Sequence, residues 1–123
     1  MGSTMATPEE LDGWRRDLQQ LHTHLLNSRE QFTAWKEDLD VTQGVVETDE
    51  FQNYVTEVKI DLQQGRQLLA QLPNVEEFTE EEIEKKIGKV GQLLNIGEQV
   101  TTLQTQLPRK MEKLQFLAKQ RLQ

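Results

Sequence analysis

Apolar residues recur along this chain at intervals of three and four. From Leu11 the run Leu11, Trp14, Leu18, Leu21, Leu25, Ser28, Phe32, Trp35, Leu39 steps 3, 4, 3, 4 to its end, with Ser28 its one polar member. Such spacing lines one face of an α-helix. A helix on its own has nothing to bury that face against. A second run, Phe51, Val55, Val58, Leu62, Gly65, Leu69, Leu72, repeats the pattern. A third begins Ile83, Ile87, Val90, Leu93, Leu94 and continues Ile96, Val100, Leu103, Leu107. Its phase slips around Val90, Leu93 and Ile96, among Gly88, Gly91 and Gly97, which predicts a bent or less stable stretch there. Leu26, Tyr54, Ile60 and Leu68 lie off the main seams. They widen the core stripe, or, if Tyr54 and Ile60 stay exposed, mark a partner groove.

Local signals set the boundaries. Thr7, Pro8 and Glu10 read as a capping box with proline at the first helical position, opening a helix over about 8–40. At 1.5 Å per residue it is about 50 Å long. Gly13 costs it about 1 kcal/mol at most, and Gly44 is a plausible stop. Thr48 caps a second helix over about 48–72, with Asp49 and Glu50 at its positive end and Pro73-Asn74 closing it. Thr79 and Glu82 form a second capping box, and a third helix follows over about 79–107. Pro108 either kinks that helix or starts a new one. Connections of about seven and six residues between long helices imply antiparallel neighbours. The expected fold is all-α: an antiparallel up–down–up three-helix bundle with left-handed coiled-coil packing and an extended C-terminal helix. Trp14 and Trp35 are expected to be its largest core contributions. The bundle would occupy 7–107, between a leading stretch 1–6 and a basic amphipathic extension 108–123.

Composition sharpens this picture. With 35% hydrophobic and 28% charged residues in 123, the chain suits a long helical body with a narrow core. A net charge of −7 gives it no general attraction to nucleic acid. The charge is uneven, since 109–123 carry five Lys/Arg against Glu112 alone. There is no cysteine, so disulfides and Cys-based zinc sites are excluded, and a cytoplasmic location is the expectation. No apolar run approaches the roughly 18 residues of a membrane span, and no secretory signal is visible. Met1-Gly2-Ser3-Thr4 reads as an expression scar ahead of a native Met5, which suggests the amino-terminal piece of a longer protein. Ala6 breaks the myristoylation pattern.

The search for chemistry returns little. His22 and His24 are two apart, about 200° apart on a helix, and cannot share a metal. The glycines of the third run have no preceding strand and the wrong spacing for a phosphate loop. No hydroxyl has a partner base at a recognisable spacing. The expectation is a protein that is not an enzyme and uses no cofactor. The acidic cluster Glu76, Glu77, Glu80, Glu81, Glu82, Glu84 reads as a solvated helix start, with a basic partner or a cation as the alternative. The basic extension has three readings: a run into a further helical segment, a docking helix for a partner or a second copy of the chain, or a surface for an anionic membrane or a calmodulin-like groove. Phe116 disturbs a clean amphipathic face and counts against the membrane. The residues expected to contact a partner helix or peptide are Lys110, Met111, Lys113, Leu114 and Leu117, an apolar stripe with basic neighbours and no assigned place in the bundle. A homodimer through this extension is part of the same expectation.

Two family resemblances follow. Phe32-Thr33-Ala34-Trp35 in the first of three heptad helices, with a third helix running on past the bundle, resembles a spectrin-type repeat. The repeat's usual Trp in the third helix is absent, both Trp residues standing in the first. That resemblance implies a spacer or docking module of the cytoskeleton or nuclear envelope. Phe32 and Trp35, then Asp61-Leu62, Pro73 and Phe78 before an Ile-rich third helix, look like the amino-terminal three-helix domain of syntaxin-type SNAREs. That would imply regulation of membrane fusion. A third class is a subunit of a larger coiled-coil assembly, such as a tethering, motor-adaptor or kinetochore complex. All three are non-catalytic scaffold or adaptor roles, exercised through helix-face packing.

Overall fold

The computed structural model of the protein describes residues 6–122, and side chains over 6–120. Of the leading stretch 1–6, Ala6 alone is among the described residues, and the Met1-Gly2-Ser3-Thr4 read as an expression scar lies outside them. The fold is all-helical, with no strand among the described residues. Its elements are α1 (Pro8–Thr42), α2 (Asp49–Ala70), a 3-10 turn (Val75–Glu77), α3 (Glu80–Lys85) and α4 (Gly88–Leu122).

The helix starts follow the capping chemistry. Thr7 Oγ1 accepts from the Glu10 amide at 3.2 Å, while the Glu10 carboxylate accepts from the Thr7 amide at 3.4 Å. Thr48 Oγ1 accepts from the Phe51 amide at 3.3 Å. These caps satisfy amides that have no partner inside the helix. At the other end of α2, the Arg29 guanidinium donates to the Leu69 carbonyl at 3.0 Å, meeting the negative end of the helix dipole with a cation. The turn between α2 and α3 is closed by Asn74, whose side chain accepts from the Glu76 amide, and it buries Val75 and Phe78.

The third apolar run does not form one helix over 79–107. It breaks after Lys85 and restarts at Gly88. Lys86 takes the left-handed conformation that ends α3, at φ 56°, and Gly88 follows at φ 57°. A Cβ at Gly88 would overlap the Glu82 carboxylate, so glycine is required there by backbone and by space. That carboxylate closes the α3 capping box with the Thr79 amide and also accepts from the Lys89 amide at 2.7 Å. One anion thus serves two helix starts. The hydrogen bonds from the Lys89 and Thr79 backbones hold its pKa below the usual carboxylate value. The predicted weak stretch is therefore a single sharp joint, placed before Val90 instead of around it.

Pro108 does not start a new element: α4 runs through it, and 108–122 continue that helix. An interior proline costs about 3 kcal/mol. Here the neighbours on the inner face offset that cost: Leu107, Met111, Leu114 and Ala118 are all buried, while Pro108 itself is exposed.

One core joins α1, α2 and α4. Its largest fully buried side chains are Phe32, Phe51, Leu25, Leu39, Leu69, Leu93, Leu107 and Leu114. The tryptophans are not its centre. Trp14 is 39% exposed, and Trp35 is half-buried, edge-on to Phe32 with ring centroids 5.3 Å apart. Phe32 lies directly over Gly65, where a Cβ would overlap its ring. Gln52 Nε2 reaches the Gln43 carbonyl at 2.9 Å, and Gln92 Nε2 the Gln71 carbonyl at 3.2 Å. Gln104 Nε2 donates to Ser28 Oγ at 2.8 Å, and Ser28, buried within the seam, in turn donates to the His24 carbonyl.

Gly65→Ala separates packing from propensity. Alanine favours the helix by about 1 kcal/mol, but its methyl would strike the Phe32 ring, so urea melts should show a net loss of about 1–3 kcal/mol. Leu114→Ala should cost about 2–5 kcal/mol in the same assay; a cost near zero would show that 108–122 does not contribute to the core.

Candidate functional site

The residues expected to meet a partner lie instead against the body of the protein. Met111 and Leu114 are core residues, and Leu117 is half-buried beside Val46, Thr48 and Phe51 at the start of α2. The stripe that had no assigned place has an intramolecular one, which covers Met111 and Leu114 and leaves Leu117 half-buried. The reason is the uninterrupted course of α4 past Pro108, which carries this face along α2.

Of their basic neighbours, Lys110 is half-buried and Lys113 is exposed, and each meets a residue of α2. Lys110 Nζ sits 2.7 Å from Asp61 and 2.8 Å from Glu57, with its side chain only 20% exposed and Asp61 only 15%. Hydrogen bonding to Asp61, then to Glu57, raises the Lys110 pKa above the usual lysine value. Lys113 places its ammonium 4.7 Å from the centre of the Tyr54 ring, a cation–π contact. Tyr54 is thereby half-buried, while Ile60 stays 59% exposed. Of the off-seam residues, Leu68 joins the core edge and Leu26 remains on the surface. Phe116 is 57% exposed.

The acidic cluster is partly neutralised within the chain. Lys89 pairs with Glu77, and Lys85 with Glu81 at 3.1 Å. The hydrogen bond to Glu77 raises the Lys89 pKa. His22 and His24 take no part in any site. Among the described residues, no three His, Asp or Glu side chains converge as a metal site, and no helix is long and apolar enough to cross a membrane.

An open groove lies between α1 and α2. It has a volume of about 660 Å³ over a floor of Leu39 and Leu62, with Lys36 and Asp40 on one wall and Lys59 and Arg66 on the other. A second hollow, lined by Arg29, Thr33 and Arg66, adjoins it through Arg66 and Ala70. A smaller hollow of about 260 Å³ lies at the other end of α1, between Trp14, Ile83 and Leu94. The cations of the α1–α2 groove carried a signal in the sequence. Arg29 and Lys36 are seven apart, as are Lys59 and Arg66, so each pair falls on one stripe beside its seam.

No family model matches the chain, and no curated protein or solved structure matches it either. The likenesses to spectrin-type repeats and to syntaxin-type domains therefore rest on the residues quoted above alone.

The ion pairs of Lys110 give a pH-dependent prediction. A lysine whose pKa is raised by folding contributes stability that is full below its unfolded value near 10.4 and fades as pH rises through its higher folded value. Lys110→Met keeps the aliphatic stem and leaves Asp61 and Glu57 without their cation. It should lose about 1–3 kcal/mol in urea melts at neutral pH, and the gap to the parent protein should narrow as pH rises past the usual lysine range. An unchanged gap would mean that the loss comes from packing.

Proposed function

We propose that this protein is a non-catalytic scaffold or adaptor domain that binds a partner helix along an open helix–helix groove. In this reading α1, α2 and α4 form an antiparallel up–down–up three-helix bundle with left-handed coiled-coil packing. The contacts support that course. As residue numbers rise along α1 from Arg29 to Gln43, those of their partners on α2 fall from Leu69 to Gln52. From Gln92 to Lys110 along α4 they fall from Gln71 to Asp61 on α2. Between α1 and α4 they rise together, Leu21 facing Gly97 and Ser28 facing Gln104. Seams stepping three and four supply the coiled-coil geometry.

The observation that carries the functional reading is the α1–α2 groove. In such a bundle α4 covers one side of the α1–α2 pair and leaves the other side open. Two adjacent helices with a vacant outer groove are the seat that a further helix takes in a four-helix arrangement. Adaptor, tether and coiled-coil subunit are variants of this one mechanism.

Selection from a displayed library of helical peptides tests it. Enriched ligands should carry apolar residues at i, i+3 or i+4, and i+7, and their amide-shift perturbations should fall on α1 and α2. Failure to enrich any peptide beyond the background of an unrelated helical protein of similar charge would overturn the reading.

A further inference from the structure

We propose that the helix seated in the α1–α2 groove is an acidic one: a segment of about three turns with Asp or Glu on its flanks and small apolar residues facing Leu39 and Leu62. This rests on the groove-binding reading above and names the partner's chemistry. The chain has 21 acidic residues against 14 Lys and Arg, yet the groove inverts that balance. Three cations line it, Lys36, Lys59 and Arg66, against one carboxylate, Asp40, and the hollow that adjoins it adds Arg29, whose guanidinium also donates to the Leu69 carbonyl. Asp40 meets only Lys36, at 3.5 Å. Among the described residues, no carboxylate pairs with Arg29, Lys59 or Arg66. Elsewhere Lys85, Lys89 and Lys110 are each matched by an acid of their own chain, while Arg16, Lys86, Arg109 and Lys119 are unpaired among the described residues but line none of the α1–α2 groove.

The cations stand on both walls. From Arg29 to Asp40 the α1 wall is about 16 Å long at 1.5 Å per residue, room for about three helical turns. A helix lying there would present carboxylates to both walls at once, in the manner of charged positions flanking a coiled-coil seam. The long-range field selects among anions. A chain of net charge −7 repels nucleic acid and anionic membranes, which interact with the whole protein surface. A short peptide held between the walls feels chiefly the charges within a Debye length, about 10 Å at 0.1 M salt. The groove is locally attractive to such a segment while the molecule as a whole is not attractive to polyanions.

The test is fluorescence anisotropy with the full chain and three labelled helical peptides. All share one Leu/Ala face and carry Glu, Gln or Lys at the flanking positions. The Glu peptide should bind, weaken as salt is raised, and bind about tenfold or more tighter than the Gln peptide. Lys59→Glu with Arg66→Glu should lose about tenfold or more of that affinity, with circular dichroism unchanged, because neither side chain is in an ion pair of the fold. Lys119→Glu, exposed on α4, serves as the charge control and should leave affinity unchanged. Equal binding of the Glu peptide to the parent and the doubly reversed variant would overturn the proposal. So would tighter binding of the Gln or Lys peptide, which would leave helix-groove recognition standing and remove only its charge preference. Binding of phosphatidylserine vesicles or single-stranded RNA, abolished by the double reversal and without Glu-peptide binding, would overturn it in favour of those anions. If none of the three peptides binds and the library selection also fails, helix-groove recognition falls as well.

Discussion

The close approach of α1 and α2 at Phe32 and Gly65 is the contact on which the rest of the fold depends. Phe32 is the largest side chain to be wholly buried, and it fits because the residue opposite has no side chain. That spacing lets Leu25, Leu39, Leu62 and Leu69 close above and below it. It also holds Trp35 at the edge, where its ring can meet Phe32 without entering the centre. A bulkier residue at 65 would move two helices apart along their shared length, since close-packed interiors pass on a local expansion. The groove on the outer side of the same pair inherits its width from this contact.

Much of the helical content was legible in the sequence. The first two seams and the cap residues Thr7, Thr48 and Thr79 are where the hydrogen bonds are. These are short-range signals, in which a residue's type and its distance to the next apolar position decide the outcome. What was not legible depends on tertiary packing. Pro108 carries the same local cost in any context, and only the burial of Leu107 and Met111 decides that the helix continues. Trp14 and Trp35 share the seam spacing of Leu18 and Leu25, yet they sit toward the edge because the centre of a narrow core has no room for an indole. The joint at Lys86–Gly88 turns on Glu82 bonding both ways, a pairing that spacing alone does not reveal.

The surroundings of the stripe at 110–117 depend on tertiary packing in the same way. A basic amphipathic stripe looks unpartnered when counted along the chain, and Met111 and Leu114 find their partners on another helix. The groove cations were visible as two pairs at heptad spacing, but nothing local says that the two pairs face each other across an open side. Charge balance over the folded surface distinguishes Lys110, matched by Asp61 and Glu57, from Lys59, which no carboxylate among the described residues matches.

The hydrogen bond between Ser28 and Gln104 bears on how uniquely this fold is aligned. Heptad seams are nearly self-similar, and a helix can slide by seven residues and still meet apolar side chains. Sliding α4 by that much would bring Gln104 against Leu21 or Trp35 and set Ser28 against Gly97 or Met111, which breaks the bond between them and leaves the Gln104 amide facing apolar side chains. Replacing the pair with leucine would remove that penalty and make neighbouring registers nearly equal in free energy. The polar step in an otherwise apolar seam is therefore a registration mark: it gives up some hydrophobic stabilisation and leaves one alignment in place of several.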